Sequence, residues 1–379
     1  MKIRKAYKFR LKTRHQLRNV LSQFSGSQRF VWNTFLALQK ERLDRSEKIM
    51  SYVDMAKELT RLKQNPETSF LKDVHSQTLQ QTLKNLDRAL KEGLRKKKGF
   101  PKFRKKGRNE SFKYPQGIKL KDNSIFLPKI GWVKLFLSQK VEGKICQVTV
   151  SQSGLHWFVS IQVEIDIAKP THSSTSAVGI DLGVKRFATL SNGEHYLPLN
   201  SFKKLEKKLA KEQRKLCRKE KFSNNWKKQK RKIQKIHIRI ASARKDYLSK
   251  LSSNICKNHA LVVLEDLDVS QMSQRKSLDT RKKSQALNRS ILDQGWYEFR
   301  RQIAYKQEWL GGQLLLVDPK NTSRTCPKCQ FVSKENRKTQ SHFCCQQCGY
   351  QGHADEVAAV NILMAVGHTV SACGDTKAA

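Results

Sequence analysis

The chain has 379 residues, of which 76 are Lys or Arg and 32 are Asp or Glu, leaving a formal net charge of +44. At roughly 150 residues per unit this length predicts two or three folded units, and the 38% apolar content is enough to give them cores. No run of about 18 apolar residues exists to span a membrane, and the charged opening Met1–Lys8 lacks a secretory pattern; so strong a self-repulsion calls for a polyanion, usually nucleic acid, which disfavours a secreted disulfide scaffold, a membrane protein or an ordinary metabolic enzyme.

In chain order, Tyr7, Phe9 and Leu11 alternate with Lys8, Arg10 and Lys12, the pattern of a half-buried strand over residues 1–12. Thr13 and Gln16 have the spacing of a capping box, and Leu17, Val20, Leu21 and Phe24 follow at helical intervals. Helical patterning runs with breaks to Leu94, so residues 13–94 are expected to be a helical insert. Arg95–Arg108 carries nine basic residues and no acid. A short run of this kind reads equally well as a solvated loop; the interleaved Phe100 and Phe103 and the total charge favour nucleic acid, with cations on phosphates and rings on bases. The candidate contacts are Lys96, Lys97, Lys98, Lys102, Phe103, Arg104, Lys105 and Lys106, with Arg324 further along.

Residues 118–165 read as strands, Trp157, Val159, Ile161, Val163 and Ile165 alternating with Phe158, Ser160, Gln162 and Glu164 after a Ser153–Gly154 turn. They are expected to pair with the amino-terminal strand in a small barrel over 95–170 that the helices interrupt. The polar stretch from Lys169 to Ser176 reads as a linker. Between Lys203 and Lys250 there are 20 Lys or Arg against four acids. That segment predicts two basic helices within 202–250, broken near Ser223–Asn225 and lying along a nucleic-acid duplex; apolar heptads sustained enough for a coiled coil are missing.

Three acids stand out. Asp181 follows Ala177-Val178-Gly179-Ile180, Glu265 closes Leu261-Val262-Val263-Leu264, and Asp355 precedes an amphipathic helix with Ala358, Ala359, Ile362 and Leu363. A carboxylate in a buried strand is costly unless it is paired or binds a cation, and α/β sheets place ligands at the carboxyl ends of their strands. Each acid alone has a duller reading, Asp355 as a helix cap and Glu265 as a partner for a neighbouring Lys. Together they suit a two-metal site, which needs several carboxylates from different elements and, in so basic a chain, points to a phosphodiester substrate. Nine cysteines without a signal peptide point to a reducing compartment. Cys326-x2-Cys329 and Cys345-x2-Cys348, fifteen residues apart, have zinc-ribbon spacing, with Cys344 spare. Four thiolates close the coordination sphere, so zinc there is structural.

The set GIDLGVKRFATLS, LVVLEDL and NTSRTCPKC…CQQCGYQGHADEVAAVNIL, together with FPKFRKKGRNESF and DQGWYEFRRQIAYK, resembles the TnpB family of transposon-encoded, RNA-guided DNA nucleases, over nearly the whole chain. The resemblance implies an α+β multi-domain chain. A wedge β-barrel would hold a helical recognition insert, followed by an RNase H-like, RuvC-type α/β nuclease domain over 171–325 and 349–366. A zinc ribbon would occupy 326–348 and a tail 367–379. It also implies that Asp181, Glu265 and Asp355 bind two catalytic Mg ions, and that the partners are a guide RNA from the transposon end and double-stranded DNA bearing a short adjacent motif. The setting implied is a bacterial cytoplasm, at the nucleoid; oligomeric state is not assigned. The chain departs from the family pattern at Val357, where Asn is common near the last acid, and at Gln330, where Gly is common and a changed turn is expected. Some relatives have lost their acids and act as guided repressors; this sequence keeps all three. The acids alone do not separate a nuclease from an RNase H-like transposase that joins strands itself, and the charge and cysteines alone would also fit an unguided binding protein.

Overall fold

The alternation at the amino terminus builds an inner strand of an antiparallel sheet. In the computed structural model, which describes residues 1–274, 281–370 and 376–378, the chain divides into two compact units, Met1–Ala168 and Lys169–Ala379. In the first, β1 (Lys2–Leu11) buries Tyr7, Phe9 and Leu11 and turns Arg10 outward. Helices α1 (His15–Asp44), α2 (Tyr52–Gln64) and α3 (Ser76–Leu94) come next, with a 3-10 turn over Pro66–Asp73. Then follow β2 (Ser111–Tyr114), β3 (Lys119–Lys121), β4 (Ser124–Leu127), β5 (Gly131–Phe136), β6 (Lys144–Ser153) and β7 (His156–Asp166).

These strands do pair with the amino-terminal one, in the order β2-β6-β7-β1-β5-β4-β3. β1 runs antiparallel to β7 from Lys2↔Asp166 to Arg10↔Phe158 and meets β5 at Arg10↔Phe136. Among the described residues nothing pairs β2 with β3, so the expected small barrel takes the form of an open half-barrel sheet. The edge strands are short, with four and three residues. Helices and sheet share one core, in which Leu21, Phe24 and Phe35 of α1 and Leu79 and Leu83 of α3 pack with Trp157, Val159 and Ile161 of β7. The expected Thr13–Gln16 capping box does not form. The N–H of Lys12 still donates to the carbonyl of Lys134 at 2.8 Å, which keeps the chain extended as far as Arg14. The helix therefore starts at His15, and the Thr13 hydroxyl accepts from Arg18 Nε at 3.0 Å instead.

The second unit opens with β8 (Ala177–Leu182), β9 (Ala188–Leu190) and β10 (His195–Tyr196), then α4 (Ser201–Cys217), α5 (Asn224–Asn258) and β11 (Leu261–Glu265). It continues through α6 (Val269–Met272), α7 (Arg281–Gln294), α8 (Trp296–Leu310), β12 (Gln313–Val317), β13 (His342–Cys344), β14 (Gln351–His353), α9 (Ala354–Met364), β15 (His368–Val370) and β16 (Thr376–Ala378). The main sheet has the order β10-β9-β8-β11-β12, with β8, β11 and β12 parallel. One face buries Val178, Ile180, Val262 and Leu264 against Leu251 and Ile255 of α5 and Phe299 and Ile303 of α8. The other packs Ala177 and Val263 against Ile362 and Leu363 of α9. Gly179 permits this second layer: a Cβ there would lie 2.2 Å from the Ala359 carbonyl oxygen, so the helix backbone rests directly on the strand.

The basic segment forms the two expected helices, α4 and α5, which pack on each other through Leu209, Ile233, Ile236 and Ile240. Ser223 caps α5 by accepting from the N–H of Trp226 at 3.2 Å. Among the described residues no helix is long and apolar enough to cross a membrane.

Candidate active site and metal centre

The parallel ladder between β8 and β11 ends at Ile180↔Leu264, so Asp181 and Glu265 follow at the same level on neighbouring strands. Side chains alternate along a strand; Gly179 and Asp181 therefore share a face, as do Val263 and Glu265, and this is the face that α9 covers. Ala359 lies over Gly179. Asp355 is one turn earlier on the same side of α9, which carries it toward the strand ends where the other two acids sit. His353 caps this helix, its Nδ1 accepting from the N–H of Asp355 at 3.3 Å, so the Asp355 carboxylate is left for other work.

The electrostatics register this convergence. Burial, and then the negative charges of Glu265 and Asp355, push the Asp181 carboxyl up to about 7, against the opposing pull of Arg337 and the N–H of Leu182. Glu265 is also raised by burial, moderated by a hydrogen bond from Thr322 and the charge of Arg337. The Thr322 hydroxyl donates to Glu265 Oε1 at 2.6 Å. Asn361 of α9 donates to the carbonyls of Thr322 and Thr325, each at 2.7 Å, which ties the loop behind β12 to the helix that carries Asp355. Arg337 Nη2 donates to Asp355 Oδ1 at 3.1 Å and to the Gln340 carbonyl at 3.0 Å.

Sequence reasoning passed over Arg337, Thr322 and Asn361. Asn361 left a signal, as the one polar residue in the apolar run Val357–Leu363, and Thr322 stands inside the NTSRTCPKC motif. Arg337 left none, being one cation among 76. Val357, the departure near Asp355, points away from the acids and is buried with Cys326, Phe343, Cys345 and Ala354.

The cysteine cluster assembles as a centre of its own. Sγ atoms of Cys326 and Cys348 are 3.6 Å apart, those of Cys329 and Cys345 are 3.5 Å apart, and all four lie within 4.8 Å of one another. An ion held about 2.3 Å from each of four thiolates spans a tetrahedron with edges of about 3.8 Å, so the four fit a metal ion. Cys344 stays outside, in β13. Among the described residues no other group of three or more metal-ligating side chains is drawn so tightly, the three acids included. Gln330 does not alter the first knuckle's turn. It adopts φ +62°, as Gly349 adopts +69° after the second, and its N–H reaches the Cys326 carbonyl at 2.9 Å just as that of Gly349 reaches Cys345 at 3.1 Å.

The basic loop after α3 is partly committed. Lys96, Lys97, Lys102, Lys105 and Lys106 are exposed, whereas Lys98 pairs with Glu92 at 2.8 Å. The Arg104 guanidinium lies 3.8 Å from the Trp32 ring, and its backbone is clasped by Asn33. Phe103 is exposed, under the Lys40 ammonium. Arg324 is exposed beside the ribbon, its carbonyl accepting from Asn336 at 2.9 Å.

Known proteins share this chain from end to end. It is 51% identical, over 99% of its length and 95% of the relative's, to an Escherichia coli protein named "Putative RNA-guided DNA endonuclease InsQ". The chain belongs to the TnpB family. A Streptomyces pristinaespiralis member under the same description is 32% identical over 98% of this chain and 92% of its own. Family models match residues 160–276 as "Probable transposase", 296–362 as "Cas12f1-like, TNB domain" and 1–48 as "Helix-turn-helix domain"; in this family member the last stretch is a strand and one long helix. A Cas12f1–sgRNA–target DNA complex covers 95% of this chain and 99% of its own at 19% identity and a TM-score of 0.36.

Proposed function

We propose that this TnpB-family chain is an RNA-guided DNA endonuclease, that its guide derives from the end of its transposon, and that cleavage uses divalent metal held by Asp181, Glu265 and Asp355. One observation carries the site: Asp181 meets the negative charges of Glu265 and Asp355 from two other elements, and its carboxyl is held at about 7. Such a cluster tolerates full ionisation only around a cation, and carboxylate oxygens are the donors Mg prefers. Two such ions would supply charge to activate water and stabilise the leaving oxygen of a phosphodiester.

The chain's own groups prepare that chemistry. Thr322 fixes the Glu265 carboxylate, Asn361 holds the Thr322 loop against α9, and Arg337 brings a positive charge to the acids from the ribbon side. On this reading the first unit is the wedge with its recognition helices, where the motif beside the DNA target is read. The second unit is an RNase H-like, RuvC-type nuclease, and the four thiolates hold structural zinc. The working place is the bacterial nucleoid, in the maintenance of an insertion sequence. The family-model description as a transposase gives a second reading, in which the same acids join strands.

The test is to purify the chain from cells carrying its native flanking DNA, sequence the RNA that accompanies it, and challenge the complex with DNA matched to that RNA. The expected result is one abundant RNA with a variable tail and metal-dependent cutting of the matched duplex, lost in Asp181→Ala and Glu265→Gln with RNA binding kept. Undiminished cutting by both variants overturns the site, and joined rather than free ends would favour the transposase.

A further inference from the structure

Beside the amino-terminal strand the first unit has a cleft of about 760 Å³, lined by Arg10, Lys12, Arg14, Arg18 and Lys134 and by the aromatic side chains Trp132 and Phe136. No acid lines it, and among the described residues none of these five cations is ion-paired to a carboxylate. The cleft is built by alternation. On β5, Val133 and Leu135 point into the core, which leaves Trp132, Lys134 and Phe136 on the outward face. Trp132 is 52% exposed and Phe136 45%. Arg10, paired across the sheet with Phe136, lays its guanidinium 4.1 Å from that ring, and Lys12 lies 4.9 Å from it. Trp132 packs at a tilt on Phe126, ring centroids 5.5 Å apart, and stays half-exposed.

We infer that this cleft is a binding site for unpaired nucleotides, with a base stacked on the half-exposed Trp132 and the adjoining phosphates neutralised by the cations around it. Covering the half-exposed Trp132 surface with something flat and apolar is favourable, and unpaired cations at this density call for phosphates. Rings and cations alternating along one strand rise by about 3.4 Å per residue, so ring and ammonium recur at spacings that suit an extended single strand, whose bases stack on sheet aromatics while its backbone tracks the cations. A blunt duplex, its bases already stacked, offers Trp132 nothing. The inference rests on the nucleic-acid-binding part of the proposed function. An unpaired stretch of the guide RNA and a displaced DNA strand present the same chemistry, and the experiment separates them.

The full-length chain is titrated at about 0.3 M salt, where exposed charges are screened beyond a few ångströms, with an eight-nucleotide oligo-U RNA, an oligo-dT DNA of the same length and a blunt DNA duplex. Trp132→Ala, at an exposed position that leaves the core intact, is expected to weaken single-strand binding on the order of tenfold, with Trp132→Phe restoring most of it and the duplex unaffected. Arg14→Ala is expected to lower the slope of log affinity against log salt by about one. Loss confined to oligo-U assigns the site to RNA, loss confined to oligo-dT assigns it to DNA, and loss of both shows that it takes either. Equal binding by wild type and Trp132→Ala, or an equal loss for the duplex, overturns the inference. A chain that binds through Trp132 but never cuts a matched target sinks the nuclease reading alone. One that is guided and cuts, with Trp132 irrelevant to both oligonucleotides, sinks this inference alone.

Discussion

Replacing Asp181 with Asn should make the magnesium-free protein less sensitive to pH, and the structure gives the size. In the folded chain the Asp181 carboxyl keeps its proton up to about 7, against 3.8 for an ordinary aspartate. Between those values the folded state binds a proton that the unfolded state has released, so stability falls as pH rises and the loss is complete above about 7. At about 1.36 kcal/mol per unit the whole penalty is about 4 kcal/mol, of which roughly 2.6 kcal/mol develops between pH 5 and 8. In a unit of roughly 200 residues that corresponds to a melting shift of about 5–10 °C. The assay is thermal melting of the chain at both pH values in magnesium-free buffer without EDTA, which would strip an ion that the four thiols would hold. Wild type should lose about that much more than Asp181→Asn on going from pH 5 to 8, and added Mg at pH 8 should restore wild type but not the variant. Parallel pH curves for the two proteins would refute the idea that burial and the neighbouring acids strain this carboxylate.

Four further outcomes are expected. Arg337→Ala should lower cleavage by roughly a hundredfold and move the pH of half-maximal cutting upward, since removing a nearby positive charge raises the acids; an unmoved pH profile would deny Arg337 this electrostatic role. Gly179→Ala should cost at least about 3 kcal/mol and abolish cutting, because the new Cβ would push α9, and Asp355 with it, off the sheet; urea melts and target cleavage would show it. Cys326→Ser should release the bound metal and expose residues 326–353 to protease, read by metal analysis and limited digestion, and a variant with full metal content would sink the four-thiolate centre. Gln330→Gly should stabilise the ribbon by about 1 kcal/mol, the cost of a left-handed non-glycine residue, seen as slower metal loss to a chelator.

Much of the site is legible in the amino-acid sequence because its signals are local. The two CxxC pairs specify a thiolate tetrahedron by spacing alone, and the four thiols do come together. Strand-ending acids after Ile180 and Leu264 announce themselves by their apolar approach, and the alternation in β1 and β7 sets which residues are buried. Other features arise from residues far apart in the chain and carry no local mark. The half-barrel stays open, with the short strands β2 and β3 at its two edges. α1 starts late because Lys12 is still bonded to Lys134. Arg337 reaches Asp355 from between the two cysteine pairs, across 18 residues, and Thr322 reaches Glu265 across 57. Hydropathy and spacing report what each segment buries, and only packing decides which charge faces which. The sequence by itself therefore determined the elements and the candidate ligand sets of this protein, while the tertiary structure decided the electrostatics of the acids, by bringing three of them and one arginine to the end of a single sheet.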